Sequence, residues 1–357
     1  MTAADWLPAA LNGGWTYRDR VPAALAGIKV TAFYAQRHRH SDAAAWGRRL
    51  AAGEMARNGE ILHQDTPLAA GDRLIWHRPP WLEPAAPAAW AVIHDDGDLL
   101  VIDKPSGLPV LPAGGWLEHT VLRLLERRHQ GDPAGVPRPV HRLGRFTSGL
   151  LVCARQPATR AWLSAALREG TAAEPEQPPD REGQRPSLRK LYRAWLVPGR
   201  LTLAPGESLE IRTAIGRRPH PRLGWIWSAA WDQQPGDLQA RSRLTLLQRR
   251  HDGDLVQVAI DSGRPHQIRI HCAALGAPLL GDPLYLPGGA AAPEALPGDG
   301  GYRLQAWRLE LQRPEGERLV LEVPEGLGEQ GGRHRSGDWS LNGGGPAAAV
   351  APRADPL

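Results

Sequence analysis

A short polar loop precedes an apolar strand near the middle of the chain. The polar side chains of this loop are His141, Arg142, Arg145, Thr147 and Ser148. Residues 149–154 follow it as a compact apolar run that predicts a buried strand. The planar guanidinium of arginine can bind a phosphate through two parallel hydrogen bonds and can stack on bases, although an arginine-biased genome explains most of the arginines in this chain.

A second polar segment runs through residues 261–276 and carries two arginines, two histidines and a cysteine. Pro265 suits the first position of a helix, and Gly276 suits its end. His266, His271 and Cys272 have spacings of five and one, which do not place three ligands on one helical face. The segment therefore predicts no metal site. No Gly-Lys dipeptide occurs in the chain, which excludes the usual nucleotide-binding phosphate loop.

The composition bounds the kind of protein that carries these segments. The 357 residues include 43 Lys+Arg and 38 Asp+Glu, a net charge of +5 that permits a polyanionic partner without establishing one. The two cysteines lie in apolar segments, which favours two buried thiols in a reducing compartment. The chain shows no signal peptide and no apolar run of about 20 residues. We expect a soluble, cytoplasmic protein.

Residues 1–88 predict a small N-terminal module. Asn58-Gly59 is a hairpin signal, and the turn at Gly71-Asp72 precedes the alternating run of residues 73–77. Residues 46–78 resemble an RNA-binding domain that a ribosomal small-subunit protein shares with RNA-modifying enzymes. A plain β-rich cap on the main domain is the alternative. Residues 83–90 are rich in Pro and Ala and predict a linker and a domain boundary.

Residues 90–325 predict the main domain. Short helices are expected over residues 119–130 and 158–168, and the remaining periodic segments predict strands, among them 190–197, 304–311 and a hairpin around Asp252-Gly253. The expected fold class is α+β, with a mixed, mainly antiparallel sheet and peripheral helices. Residues 171–187 predict a loop outside the core, and residues 326–357 predict a disordered tail.

Four segments together resemble the RluA-type family of RNA pseudouridine synthases. They are residues 101–110, 141–150, 190–192, and 262–271 with its sequel 280–285. Members of that family detach a uracil base in RNA, rotate it and rejoin it through carbon 5, without cofactor or metal. The resemblance therefore implies an isomerase acting on uridine in structured RNA, either ribosomal or transfer RNA. We expect it to act as a monomer.

The resemblance also assigns roles to single residues. Tyr192 matches a tyrosine that stacks on the flipped base and can transfer a proton, although a tyrosine on a strand is otherwise a core residue. Arg269 matches an arginine that pairs with the catalytic carboxylate and lowers its pKa. The RNA-binding residues that we predict are Arg142, Arg145, Arg264, His266, Lys104 and Lys190. Asp282, in a Gly-Asp-Pro sequence, predicts a turn residue.

One residue departs from the family pattern. Gly144 occupies the position of the nucleophilic Asp and has no side chain that can attack a sugar carbon. Three hypotheses remain: Asp261 or Asp103 replaces the lost carboxylate; the protein binds RNA without chemistry; or the fold serves as a scaffold for assembly. Without a carboxylate at residue 144, Arg269 is expected to face an unpaired site, a phosphate or water.

Overall fold

A ten-stranded mixed sheet forms the main body of the molecule and confirms the α+β architecture. The computed structural model describes residues 6–38, 41–169, 188–260 and 262–324. The sheet contains β9 (Ala91–Asp95), β10 (Leu99–Lys104), β11 (Arg138–Pro139), β12 (Thr147–Ala154), β13 (Leu188–Leu196), β14 (Ser208–Ile211), β17 (Ser242–Arg250), β18 (Gly253–Ile260), β19 (Leu304–Gln312) and β20 (Arg318–Glu322).

The strand order in this sheet is β14-β17-β18-β13-β19-β12-β10-β9, with β11 on β12 and β20 on β19. The pair β12–β19 is parallel, and the other described pairs are antiparallel. The chain between β14 and β17 forms a separate hairpin, β15 (Ile215–His220) with β16 (Gly224–Ala229). The hairpin predicted at Asp252-Gly253 is confirmed as β17–β18.

The N-terminal residues form smaller sheets and two helices. The four-stranded sheet has the order β3-β6-β4-β5, and two strand pairs, β1–β8 and β2–β7, lie beside it. The bounds are β1 (Trp6–Leu7), β2 (Ala10–Leu11), β3 (Trp15–Arg20), β4 (Met55–Arg57), β5 (Glu60–Ile61), β6 (Arg73–Arg78), β7 (Leu82–Glu83), β8 (Ala86–Pro87), α1 (Val30–Arg37) and α2 (Ala43–Ala51). Asn58, at a φ of 55°, and Gly59 form the turn between β4 and β5, which confirms the predicted hairpin.

Three further helices pack around the main sheet: α3 (Val121–Arg128), α4 (Pro157–Glu169) and α5 (Gln267–Ala274). The expectation that Pro265 is the first helical residue is wrong, because α5 begins two residues later, at Gln267, after an N-cap at His266 with a φ of 56°. Gly276 follows the end of α5 at a φ of 79°, as predicted for a helix terminus. None of the helices in the described ranges is long and apolar enough to span a membrane.

The segment predicted as a Pro/Ala linker is ordered and partly buried. It contains β7 and β8, and the Glu83 side chain is fully buried. The carboxylate of Glu83 accepts hydrogen bonds from the backbone N–H groups of Leu117, Glu118 and His119, at 2.9–3.1 Å. The N-terminal segment is therefore tied to the residues that precede α3. The exact domain boundaries stay a prediction.

Several expectations concern residues outside the described ranges. They are the loop at 171–187, the tail from residue 326, and Asp261. The expected buried thiols are confirmed, since Cys153 and Cys272 are free and buried. Burial raises the pKa of the Cys272 thiol to about 12 and also raises that of Cys153.

Candidate functional site

The parallel pair β12–β19 brings the polar loop at residues 141–148 next to the start of β19. Gly149 pairs with Ala306 there, at a φ of 98°. A Cβ atom on Gly149 would lie 2.2 Å from the carbonyl oxygen of Ala306, so only glycine allows the two backbones to approach this closely. The close approach places the loop beside Tyr302, two residues before β19.

The side chain of Lys104 forms hydrogen bonds to the backbone of this loop and of the residues next to Lys104. Its fully buried ammonium donates to the carbonyl oxygens of Pro105 and Leu108, each at 2.8 Å, and of Arg145 at 3.1 Å. Burial lowers the pKa of Lys104 to about 7, against the opposing effect of Asp103. The donors of the Lys104 ammonium are used inside the protein, and its expected contact with RNA stays a prediction.

His141 and Lys190 lie on the walls of a small cavity that Tyr192 and Arg308 also line. The Nε2 atom of His141 accepts a hydrogen bond from the backbone N–H of Val152 at 3.0 Å. Burial, and secondarily the charge of Lys190, lower the pKa of His141 to about 4. His141 is therefore neutral at neutral pH and positions the loop rather than offering a positive charge.

Gly144 is exposed, and the hydroxyl of Tyr302 occupies the space that a side chain at residue 144 would fill. An ideal Cβ on Gly144 would lie 2.2 Å from the Tyr302 hydroxyl oxygen and 3.6 Å from Cζ of the same ring. That hydroxyl lies 3.3 Å from Oγ1 of Thr147, and the tyrosine is only 3% exposed. The backbone of Gly144 does not have a positive φ, so chain geometry admits other residues here, but any side chain would have to displace the Tyr302 hydroxyl.

Arg269 is paired, contrary to the expectation of an unpaired site. Its Nε and one terminal nitrogen each donate to a carboxylate oxygen of Asp282 at 2.7 Å. The side chains of Arg269 and Asp282 are 3% and 0% exposed. Asp282 also accepts from the N–H of Leu284 at 2.9 Å, so its predicted turn role is confirmed alongside the unforeseen ion pair.

The guanidinium of Arg269 also packs against two aromatic rings. Its Cζ lies 4.2 Å from the ring centre of Tyr302 and 5.0 Å from that of Tyr285. Despite the opposing effect of burial, Asp282 and the two tyrosines raise the pKa of Arg269. Gly144 and Arg269, which are far apart in sequence, are thus brought together through Tyr302.

Tyr192 lies on β13 between two hydrophobic clusters. One cluster contains Tyr302 and Leu304, and the other contains Leu143 and Ala306. Burial raises the pKa of the Tyr192 phenol to about 12. The phenol is therefore protonated at neutral pH and can act as a hydrogen-bond donor.

Asp103 and Asp261 are the two acids that could replace the carboxylate missing at residue 144. Asp103 alternates with Lys104 along β10, so its side chain lies on the sheet face opposite the one that carries Lys104. Leu99 and Val101, which share the face of Asp103, belong to a different hydrophobic cluster from Leu143. Asp103 therefore lies across the sheet from the Gly144 loop. Asp261 lies outside the described residues.

Four of the predicted RNA-binding residues remain to be placed: Arg142, Arg145, Arg264 and His266. Arg142 is exposed, and Arg145 donates to the carbonyl of Gly298 at 2.6 Å. Arg264 donates to the carbonyl of Gln239 at 2.9 Å. His266 is fixed by Tyr285, whose hydroxyl donates to the carbonyl of Trp227 at 2.9 Å and so accepts from Nδ1 of His266 at 2.6 Å.

The β15–β16 hairpin carries an aromatic and basic face that sequence reasoning missed. The guanidinium of Arg217 lies 4.1 Å from the ring centre of Trp225 and 5.2 Å from that of Trp227. Arg217 is exposed, and both tryptophans are half-buried. The alternation of Arg217 with buried Gly216, and of Trp225 and Trp227 with buried Ile226, was the signal for such a face. The hydrogen bond from Tyr285 to Trp227 links this face to Arg269.

Comparisons with known proteins agree on one family. Residues 98–274 match the family model described as RNA pseudouridylate synthase. An uncharacterized RNA pseudouridine synthase of Synechocystis is 41% identical over 83% of this chain and 94% of its own length. RNA pseudouridine synthase 5 of Arabidopsis thaliana is 35% identical over 88% of this chain and 92% of its own length.

A solved structure, human RNA pseudouridylate synthase domain containing 1, also aligns with the chain. The TM-score is 0.47 at 22% identity, over 66% of this chain and 84% of the human chain.

Proposed function

The chain belongs to the RNA pseudouridylate synthase family, and we propose that it binds ribosomal or transfer RNA and isomerises a flipped uridine to pseudouridine. The observation that carries this proposal is the convergence of the Gly144 loop, Tyr192 and the Arg269–Asp282 pair around Tyr302. A protonated Tyr192 phenol suits a base-stacking residue that also donates a hydrogen bond. A uridine must leave its stack to reach such a site.

The proposed RNA-binding surface combines two sets of side chains. Arg142, in the loop, and Arg264, just before α5, supply positive charge that suits contacts to phosphates. The face formed by Arg217, Trp225 and Trp227 suits unpaired bases, because each stacked base contributes about 1–3 kcal/mol. We further propose that the N-terminal module of residues 1–88 assists RNA binding, and that the protein is a cytoplasmic monomer.

The second candidate function is RNA binding without chemistry. It is favoured by Gly144, which stands at the position that the family resemblance assigns to the nucleophile. Losing a covalent nucleophile typically reduces kcat by about four to six orders of magnitude.

Filter binding with transcripts of ribosomal and transfer RNA tests the binding part. We expect affinity to fall as salt rises, and Arg217→Ala to weaken binding further, because stacking and charge are both lost. Arg250→Ala, on the β17–β18 turn, is the matched control. Binding that is independent of salt would refute an RNA function. Tritium release from RNA labelled at uridine carbon 5 then tests the isomerase.

A further inference from the structure

We propose that the phenol of Tyr302 replaces the missing carboxylate as the nucleophile, an inference that rests on the proposed isomerase function. Gly144 has no side chain at the position where the family has its nucleophile, and the hydroxyl of Tyr302, two residues before β19, occupies that space. The hydroxyl oxygen lies 2.2 Å from the Cβ position of a side chain at residue 144. Gly144 and Tyr302 are therefore complementary, because a side chain at residue 144 would displace the hydroxyl.

The surroundings of the phenol suit a nucleophile. Arg269 lies 4.2 Å from the ring centre, and Arg145 interacts electrostatically with the same tyrosine. Both guanidinium groups place positive charge next to the tyrosine. Thr147 Oγ1, at 3.3 Å, orients the hydroxyl.

Tyrosine is also chemically competent at a sugar carbon. Tyrosine forms covalent intermediates in some enzymes, and certain sialidases use it as the nucleophile at the anomeric carbon. A phenolate is a good leaving group, which the second half of the isomerisation requires. The choice of a phenol in place of a carboxylate therefore preserves a two-step displacement.

The reaction balances without a co-reactant. In the first step the Tyr302 oxygen bonds to C1′ of the uridine as the C1′–N1 bond breaks, and the phenolic proton passes to the departing uracil anion. The base then rotates. In the second step C5 bonds to C1′ as the C1′–O bond to Tyr302 breaks. The proton on C5 is then lost to the phenolate, directly or through water, which restores the tyrosine and leaves pseudouridine.

Tyr302→Phe tests the proposal, because it removes one oxygen atom from a buried ring. We expect tritium release to fall by about 10⁴-fold or more, with RNA affinity in filter binding within twofold of the parent. Tyr34→Phe is the matched control: Tyr34 is buried in the N-terminal module, and its hydroxyl has no hydrogen-bond partner among the described residues. We expect that variant to keep the parent rate.

The double variant Gly144→Asp/Tyr302→Phe separates a chemical role from a structural one. Without the hydroxyl, Cζ of the ring lies 3.6 Å from the new Cβ, which is an ordinary contact, and Oγ1 of Thr147, at 3.3 Å, has to shift by only a few tenths of an ångström to admit the aspartate. We expect the double variant to regain activity lost in Tyr302→Phe, whereas Gly144→Asp alone crowds the hydroxyl. Release by Tyr302→Phe at the parent rate would overturn the proposal. A parent that binds RNA without releasing tritium would overturn the isomerase and the Tyr302 role together, and would leave RNA binding intact.

Discussion

Replacing Asp282 by Asn is expected to destabilise the protein strongly. The substitution keeps the size of the side chain, and the amide oxygen can still accept from the N–H of Leu284. It removes the negative charge that faces Arg269, whose side chain is 3% exposed. Breaking a buried pair in this way costs about 3–5 kcal/mol, because one charge is left uncompensated. With an m-value of about 3 kcal/mol/M, the urea midpoint falls by roughly 1–1.7 M.

An exposed ion pair supplies the control. Arg250 and Asp252 are 41% and 49% exposed, and Nε of Arg250 lies 3.0 Å from the carboxylate. Solvent screens such a pair, so Asp252→Asn is expected to cost less than about 1 kcal/mol. Urea unfolding followed by circular dichroism measures both variants. Equal shifts for Asp282→Asn and Asp252→Asn would refute the reasoning that burial makes the Asp282 charge indispensable.

The double variant Arg269→Met/Asp282→Leu tests the same reasoning from the other side. It removes both charges and leaves apolar side chains in the same space. Replacement of a buried ion pair by apolar residues is often neutral, so this variant is expected to be more stable than Asp282→Asn. A double variant that is less stable than the single one would show that the two charges do not account for the loss.

Three further outcomes follow from buried groups. Lys104→Met leaves three carbonyl oxygens without their donor, so unfolding in urea should show a loss of about 2 kcal/mol or more. Burial lowers the pKa values of His141 and His271 from 6.5 to about 4, so the unfolded chain binds more protons than the folded chain between these pH values. The free energy of unfolding should therefore fall as the pH is lowered from 6.5 to 4, by roughly 3 kcal/mol per histidine at most. Equal stability at pH 7.5 and pH 5 would contradict this. Gly149→Ala places a Cβ atom 2.2 Å from a carbonyl oxygen, at a φ of 98°. Thermal unfolding should show a large fall in Tm relative to Gly97→Ala, because residue 97 has a similar φ of 93° but no described atom within 4 Å of the new Cβ.

Local signals accounted for much of the fold. The turns at Asn58-Gly59 and Asp252-Gly253, and the end of α5 at Gly276, depend on backbone preferences of a few adjacent residues. The start of α5 was misplaced because Pro265 is acceptable both in the first turn and before it, and only the left-handed φ of His266 decides between these.

The contacts of the candidate site are long-range, and this is why sequence could not predict them. Asp282 was recognisable as a turn residue, but its partner Arg269 lies on a helix whose orientation depends on the whole sheet. No signal near Tyr302 indicated that its hydroxyl reaches Gly144, since that contact depends on the parallel pairing of β12 with β19. The only hint of this contact in the sequence was Gly144 itself, a residue without a side chain at the place where the tyrosine hydroxyl lies.

The burial of Glu83 limits how the chain can be divided. Cutting the protein at residue 88 would remove this carboxylate and leave three consecutive N–H groups, at residues 117–119, without their acceptor. A fragment that contains the ten-stranded sheet should therefore begin before β7, so that it keeps Glu83. To keep the hydrogen bond from Asn12 to Glu83, it must begin before residue 12. In evolutionary terms, the N-terminal module cannot be exchanged freely for another, because an acceptor for the residues before α3 must be inherited with it.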